Sequence, residues 1–115
     1  MTFMSAMYEF GTIVLVSFPF TDLSAAKVRP ALIVSESTKQ GEDVIVCFIS
    51  SNVGRGGEHA VSLSPDTVTG LKVRSVVRFD KIATLHKRVI LGKLGAMSKN
   101  ELHKHRTLFY SVFGF

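Results

Sequence analysis

An arginine and an aspartate interrupt an apolar, β-branched stretch in the second half of the chain, which reads Ser75-Val76-Val77-Arg78-Phe79-Asp80. Residues i and i+2 of a β-strand project from the same face, so Arg78 and Asp80 are predicted to lie side by side. The pattern is compatible with a simple ion pair at a strand end. It also places a cation and a proton acceptor together, which is the chemistry that a reactive site on a phosphate needs.

Two other apolar stretches, 28–34 and 43–51, carry polar groups at one end. Arg29 lies near the start of the first stretch, and Ser50 lies near the end of the second, next to Ser51. If these strands are neighbours in one small sheet, Arg29, Ser50, Arg78 and Asp80 converge at its rim. We therefore predict one site built from these four side chains.

Arginines, serines and a single carboxylate suit metal-free cleavage of RNA, in which the substrate's own 2′-hydroxyl is the nucleophile. Asp80 is the expected base, and Arg29 and Arg78 are expected to stabilise the charge that builds on phosphorus. Ser50 and Ser51 can donate hydrogen bonds to the phosphate. Arginine holds its proton too tightly to be a good general acid.

Metal and cofactor chemistry has little support in the sequence. The four histidines lack the spacing of metal ligands on a helix face, and Cys47 is the only cysteine, which excludes an intramolecular disulfide and a cysteine-based zinc site. There is no glycine fingerprint of a nucleotide-binding fold. We expect no metal and no cofactor.

Composition and charge indicate a small basic globule. At 115 residues the chain fits one domain, predicted to span 1–115, and its formal net charge of +5 favours polyanionic partners. No apolar run approaches the roughly 20 residues that span a bilayer. The N-terminus has no basic segment before a sustained apolar one, so a cytoplasmic location is expected.

The order of elements indicates an α+β fold that is mainly β. Apolar and alternating segments predict strands near 11–18, 28–34, 43–51, 59–63, 75–80 and 89–94, with the pair Arg29-Pro30 opening the second strand. Ser98 and Glu101 have the spacing of a capping box, and the apolar residues after them predict one amphipathic helix. This arrangement suggests a small curled, barrel-like sheet capped by the helix.

At these same residues the chain resembles the MazF/PemK family of toxin endoribonucleases, from Phe10 to Phe113. Four family motifs occur in the right order: Gly11-Thr12-Ile13-Val14 running into Phe18-Pro19-Phe20-Thr21-Asp22, then 27–34, then 46–51, and finally Gly70-Leu71-Lys72 followed by 75–85. Each motif alone is weak. Four of them in this order and spacing make a specific match.

The resemblance implies an SH3-like curled antiparallel sheet of the CcdB/PemK type with a C-terminal helix. It also implies a homodimer, metal-independent cleavage of single-stranded RNA at short motifs, and neutralisation by a cognate antitoxin, which the basic charge suggests is acidic. The family's arginine before proline falls on Arg29, and the hydroxyl residue ending the third strand falls on Ser50. Its basic and acidic pair falls on Arg78 and Asp80.

Some members of the family use the pair at Arg78 and Asp80 as acid and base, whereas others rely mainly on the equivalents of Arg29 and Ser50. The loops 19–28 and 52–58 are expected to frame the RNA groove. Contacts to RNA are predicted from five further residues: Thr21, Lys27, Ser51, Arg55 and Lys81. The chain departs from the family pattern at Thr12, where many members have an acidic residue, and at Ser50, where threonine is commoner.

Two other functions fit the same scaffold. A non-enzymatic gyrase poison of the CcdB type would not need Arg29 or Asp80. An RNA-binding module without cleavage would use the basic surface alone. Trapping of DNA cleavage complexes would identify the first, and a shift of intact RNA would identify the second.

Overall fold

Six antiparallel strands form a single sheet in the computed structural model, which describes residues 8–19, 26–36, 41–55 and 57–114. The strands are β1 (Thr12–Pro19), β2 (Ala26–Ile33), β3 (Asp43–Ser50), β4 (Ala60–Leu63), β5 (Ser75–His86) and β6 (Ile90–Ala96). Their order across the sheet is β4-β5-β3-β2-β1-β6. Two short 3-10 helices, Val53–Arg55 and Lys87–Val89, lie between strands. The predicted mainly β class is confirmed, and the sheet does not close into a barrel.

The central strands are apolar throughout because both faces of the sheet are buried. Ile13, Leu32 and Cys47 belong to one hydrophobic cluster, whereas their chain neighbours Val14, Ile33 and Val46 belong to a second. Successive residues of a strand alternate between the faces, so the two clusters lie on opposite sides of the sheet. The prediction that the first strand is covered on both faces is therefore confirmed.

The C-terminal segment forms two short helices, α1 (Lys99–Lys104) and α2 (Arg106–Ser111). The prediction of one helix is wrong because His105 leaves the helical conformation, with φ −100° and ψ 9°. The predicted start is confirmed, since the Ser98 side chain accepts a hydrogen bond from the Glu101 N–H at 3.1 Å. Beyond the bend, α2 packs the ring of Phe109 edge-to-face against Phe79, with centroids 5.4 Å apart.

Pro30 lies inside β2 and does not open it, which corrects the sequence prediction. The Ile33 carbonyl accepts from Gly11 on the β1 side, and the Val34 N–H donates to Ile45 of β3. Backbone groups alternate in direction along a strand, so Leu32 and then Pro30 face β3. Proline has no N–H to donate, and pairing of β2 with β3 ends at Ala31.

A register shift separates the two halves of β5. Cys47 of β3 faces Ile82, whereas Ile49 faces Val77, so a two-residue step along β3 corresponds to a five-residue step along β5. The extra residues fall between 78 and 81. Bulges of this kind re-aim side chains and are frequent beside functional sites.

A turn before β5 is held tightly against β6. The Asp66 Oδ1 accepts hydrogen bonds from the backbone N–H groups of Val68 and Thr69, at 2.9 and 2.8 Å. The Ala96 N–H donates to the Val68 carbonyl at 2.9 Å. A Cβ on Gly95 would lie 2.2 Å from that carbonyl oxygen, so only glycine allows this approach.

Within the described ranges, no helix has both the length and the apolar character that crossing a membrane requires.

We predict that Gly95→Ala destabilises the protein and that Gly92→Ala, in the same strand, serves as its matched control. The new methyl group at position 95 meets backbone atoms that cannot step aside, which costs about 1–3 kcal/mol in the free energy of unfolding. At position 92 a Cβ has no atom within 4 Å. Urea unfolding measures both variants, and equal stability of the two would contradict the packing described for the turn.

Candidate functional site

A groove of about 850 Å³ opens where the ends of β2 and β3 separate, beside the start of β5. Its described lining consists of strand residues, the loop after β3 and the segment before β5: Leu15, Val28, Arg29, Pro30, Ile49, Ser50, Ser51, Asn52, Gly70, Leu71, Lys72, Val73, Ser75, Arg78 and Leu94. The groove thus lies at the rim of the sheet, where the sequence predicted a site.

The end of the β2–β3 ladder creates this groove. Extending the pairing of Ala31 with Phe48 by two residues would place Arg29 opposite Ser50. Instead β2 continues along β1 down to Ala26, while β3 follows β5, where Ser50 pairs with Val76. Arg29 and Ser50 therefore line the two sides of a gap between strands that are no longer hydrogen-bonded to each other.

The groove is electropositive. Arg29, Lys72 and Arg78 line it, and none of its described lining residues is acidic. Ser50, Ser51 and Asn52 add polar groups along one side. Clefts lined by one sign of charge concentrate ligands of the opposite sign. The arrangement suits a phosphate, because guanidinium groups and hydroxyls donate hydrogen bonds to its oxygens.

Ser50 ends β3 and shapes the loop that follows. Its Oγ accepts a hydrogen bond from the Asn52 N–H at 3.1 Å, which stabilises the turn after the strand. The hydroxyl hydrogen does not take part in this bond and remains available to a ligand in the groove.

Arg78 and Asp80 form the pair that their spacing predicted. The Arg78 Nη2 lies 2.9 Å from the Asp80 Oδ2, and the Nε lies 3.3 Å from Oδ1, so both carboxylate oxygens accept from one guanidinium. Hydrogen bonds from Arg78 lower the pKa of Asp80 below its usual value of 3.8. Asp80 is thus ionised at neutral pH, but a lowered pKa makes it a weak proton acceptor.

Phe79 anchors the strand segment that carries this pair. It projects from the opposite face, is buried in the core with Val77, and contacts Phe109 of α2. Its burial fixes which way Arg78 and Asp80 point, because the three residues are consecutive on one strand.

The four predicted catalytic residues are placed as follows. Arg29, Ser50 and Arg78 line the groove, whereas Asp80 is absent from its described lining and adjoins it through Arg78.

The five predicted RNA contacts are less concentrated. Ser51 lines the groove, and Lys27 and Lys81 are exposed but are not among its lining residues. The backbone of Arg55 belongs to the 3-10 helix after β3. Thr21 lies outside the described residues.

Lys72 is the groove cation that sequence reasoning missed. It belongs to the Gly70-Leu71-Lys72 motif, which supported the family resemblance but was not read as part of a site. Its segment, 71–74, is neither helix nor strand. No periodic pattern therefore marks the direction of its side chain, and only the glycine turn before it signals a defined backbone.

Possible metal ligands and nucleophiles are sparse in the described part of the chain. It contains no group of three or more His, Cys, Asp or Glu residues that could hold a metal ion. Cys47 is buried in β3, and burial raises the pKa of its thiol to about 12, so the thiol stays protonated and unreactive.

Several solved structures share this fold. One MazE-MazF crystal structure from Deinococcus radiodurans aligns with a TM-score of 0.79 at 21% identity, covering 96% of this chain and 99% of that one. The toxin MazF-mt6 of Mycobacterium tuberculosis aligns with a TM-score of 0.74 at 23% identity, covering 90% and 97%. An endoribonuclease in complex with its cognate antitoxin, from a Mycobacterial species, aligns with a TM-score of 0.67 at 22% identity, covering 94% of each chain.

At the level of sequence, no curated protein shows significant similarity to the chain. A family model does match it, over residues 9–113, which includes every strand and both helices. That model describes the PemK-like, MazF-like toxin of type II toxin-antitoxin systems. The match covers most of the chain and agrees with the fold of the structural neighbours, so the chain belongs to the PemK-like, MazF-like toxin family.

Proposed function

We propose that this toxin is an endoribonuclease that cleaves single-stranded RNA without a metal ion. The observation that carries the proposal is the groove between β2 and β3, where two arginines, a lysine and serine hydroxyls meet with no acidic residue in the described lining. Family membership and neighbours whose names include endoribonuclease support the same activity.

In the proposed reaction, a ribose 2′-hydroxyl attacks the adjacent phosphorus and the bond to the 5′-oxygen breaks. The products are a fragment with a 2′,3′-cyclic phosphate and a fragment with a 5′-hydroxyl. Arg29 and Arg78 stabilise the negative charge that develops on the phosphoryl oxygens, and Ser50 donates a hydrogen bond. The substrate contains its own nucleophile, so the protein's main tasks are positioning and charge stabilisation.

The role of Asp80 follows from its contacts. The sequence assigned it as the base, but both of its oxygens accept hydrogen bonds from Arg78. We propose that Asp80 is a positioning residue that holds the Arg78 guanidinium at the groove. This geometry favours the division of labour in which Arg29 and Ser50 act directly on the reacting phosphate.

The proposal includes partners and context. We propose a cognate antitoxin, acidic because this chain has a formal net charge of +5, and a homodimer as the family suggests. Neighbours in the comparisons include complexes with cognate antitoxins. We treat residues 1–115 as one cytoplasmic toxin domain, since β1 from the first part of the chain pairs with β6 from the last. RNA contacts by Thr21, Lys27, Ser51, Arg55 and Lys81 remain predictions.

We predict that the purified protein cuts a long single-stranded RNA into discrete fragments in excess EDTA, and that Arg29→Ala is at least about 100-fold slower, as expected for a lost charge stabiliser. Lys93→Ala is the control for charge, because Lys93 is exposed on β6 and does not line the groove. Gel analysis and end-group mapping give the readout. Intact RNA in every lane, from folded protein free of antitoxin and with several RNA sequences, would redirect the assignment to a gyrase poison or a non-cleaving binder.

We predict that Asp80→Asn cleaves RNA within about tenfold of the wild-type rate. The amide oxygen can still accept a hydrogen bond from Arg78, whereas loss of a general base costs about 10²–10⁴ in rate. The double variant Arg78→Ala/Asp80→Asn should be no slower than Arg78→Ala, because a positioning residue has no effect once its target is gone. A further drop in the double variant would restore Asp80 as the base.

A further inference from the structure

The segment before β5 forms one wall of the groove, and no role has been assigned to it. Lys72 and Val73 line the groove there, together with Gly70 and Leu71. We propose that Lys72 is a phosphate-binding residue that holds the RNA backbone beside the reacting phosphate. The inference rests on the proposed ribonuclease function and adds a substrate-binding residue to it.

The charge of Lys72 is not matched by a carboxylate. Among the residues that the structure describes, the side chain of Lys72 takes part in no ion pair, whereas Arg78 shares its charge with Asp80 at 2.9 Å. Lys72 is also exposed at the groove surface. A cation without an internal partner in an electropositive groove has a phosphate as its natural counterion.

The backbone of Lys72 has a defined place despite being outside a strand. Leu71, the preceding residue, packs against the core cluster that contains Phe79. Gly70 before it has φ +70°, and a Cβ there would lie 1.9 Å from the Leu94 carbonyl oxygen, so the chain approaches β6 directly. The turn at Asp66 is bonded to β6 through the Val68 carbonyl. These contacts present Lys72 at one fixed point of the groove wall.

Lys72 is suited to binding rather than to chemistry. An RNA strand that crosses the reacting phosphate carries further phosphates on either side of it. Arg29 and Arg78 are assigned to the reacting group, so the third cation is available for a flanking one. Such a contact holds the ground state and the transition state equally, so its loss raises KM and leaves kcat nearly unchanged.

The test compares Lys72→Ala, Lys72→Arg and Lys93→Ala in two assays. The first measures cleavage rates over a range of RNA concentrations. The second measures the Kd of an RNA that carries a 2′-deoxy sugar at the cleavage site, across a series of salt concentrations. Lys93 is an exposed lysine that does not line the groove, so its variant removes the same charge from elsewhere.

For Lys72→Ala we expect KM and Kd to rise about tenfold, with the slope of log Kd against log salt smaller by about 1, the value for one lost phosphate contact. Lys72→Arg should retain the wild-type slope, and Lys93→Ala should match the wild type. Binding by Lys72→Ala that equals Lys93→Ala overturns the inference while wild-type cleavage preserves the proposed function. A fall in kcat at constant KM also overturns it. A wild-type protein that neither cleaves nor binds RNA overturns both.

Discussion

The missing N–H of one proline governs the architecture of the site. Pro30 occupies the position in β2 where the next hydrogen bond to β3 belongs, and the ladder between these strands ends beside it. The two strands then follow different neighbours, β1 on one side and β5 on the other. The gap between them is the groove, with Arg29 on one side and Ser50 on the other. A continuous ladder would have made these two residues ordinary cross-strand neighbours.

The rest of the fold holds the walls of this gap in place. The register shift between β3 and β5 gives residues 78–81 their own course, and burial of Phe79 against Phe109 determines their orientation. On the far wall, Gly70 and Gly95 let the preceding turn approach β6 at distances that no side chain permits. A positively charged groove repels its own cations, so such anchoring from the apolar side is what keeps them together.

Sequence patterns predicted the strands well, because apolar runs covered on both faces and alternating runs are strong signals. The pairing of Arg78 with Asp80 followed from the two-residue period of a strand. The role of Pro30 did not follow, since it depends on which neighbouring strand the residue faces. The bend at His105 also escaped prediction, because the apolar spacing after Ser98 fits a continuous helix equally well. Lys72 belongs to an irregular segment, where side-chain direction is set by long-range contacts with β6.

The most direct measurement is an NMR titration of the labelled protein with an RNA that carries a 2′-deoxy sugar at its cleavage site. The central claim is that RNA lies in the gap between β2 and β3. It predicts amide shifts at Arg29, Ser50, Lys72 and Arg78, with little change at Lys93. Shifts centred on Lys93 and its neighbours, with the four groove residues unmoved, would contradict the account.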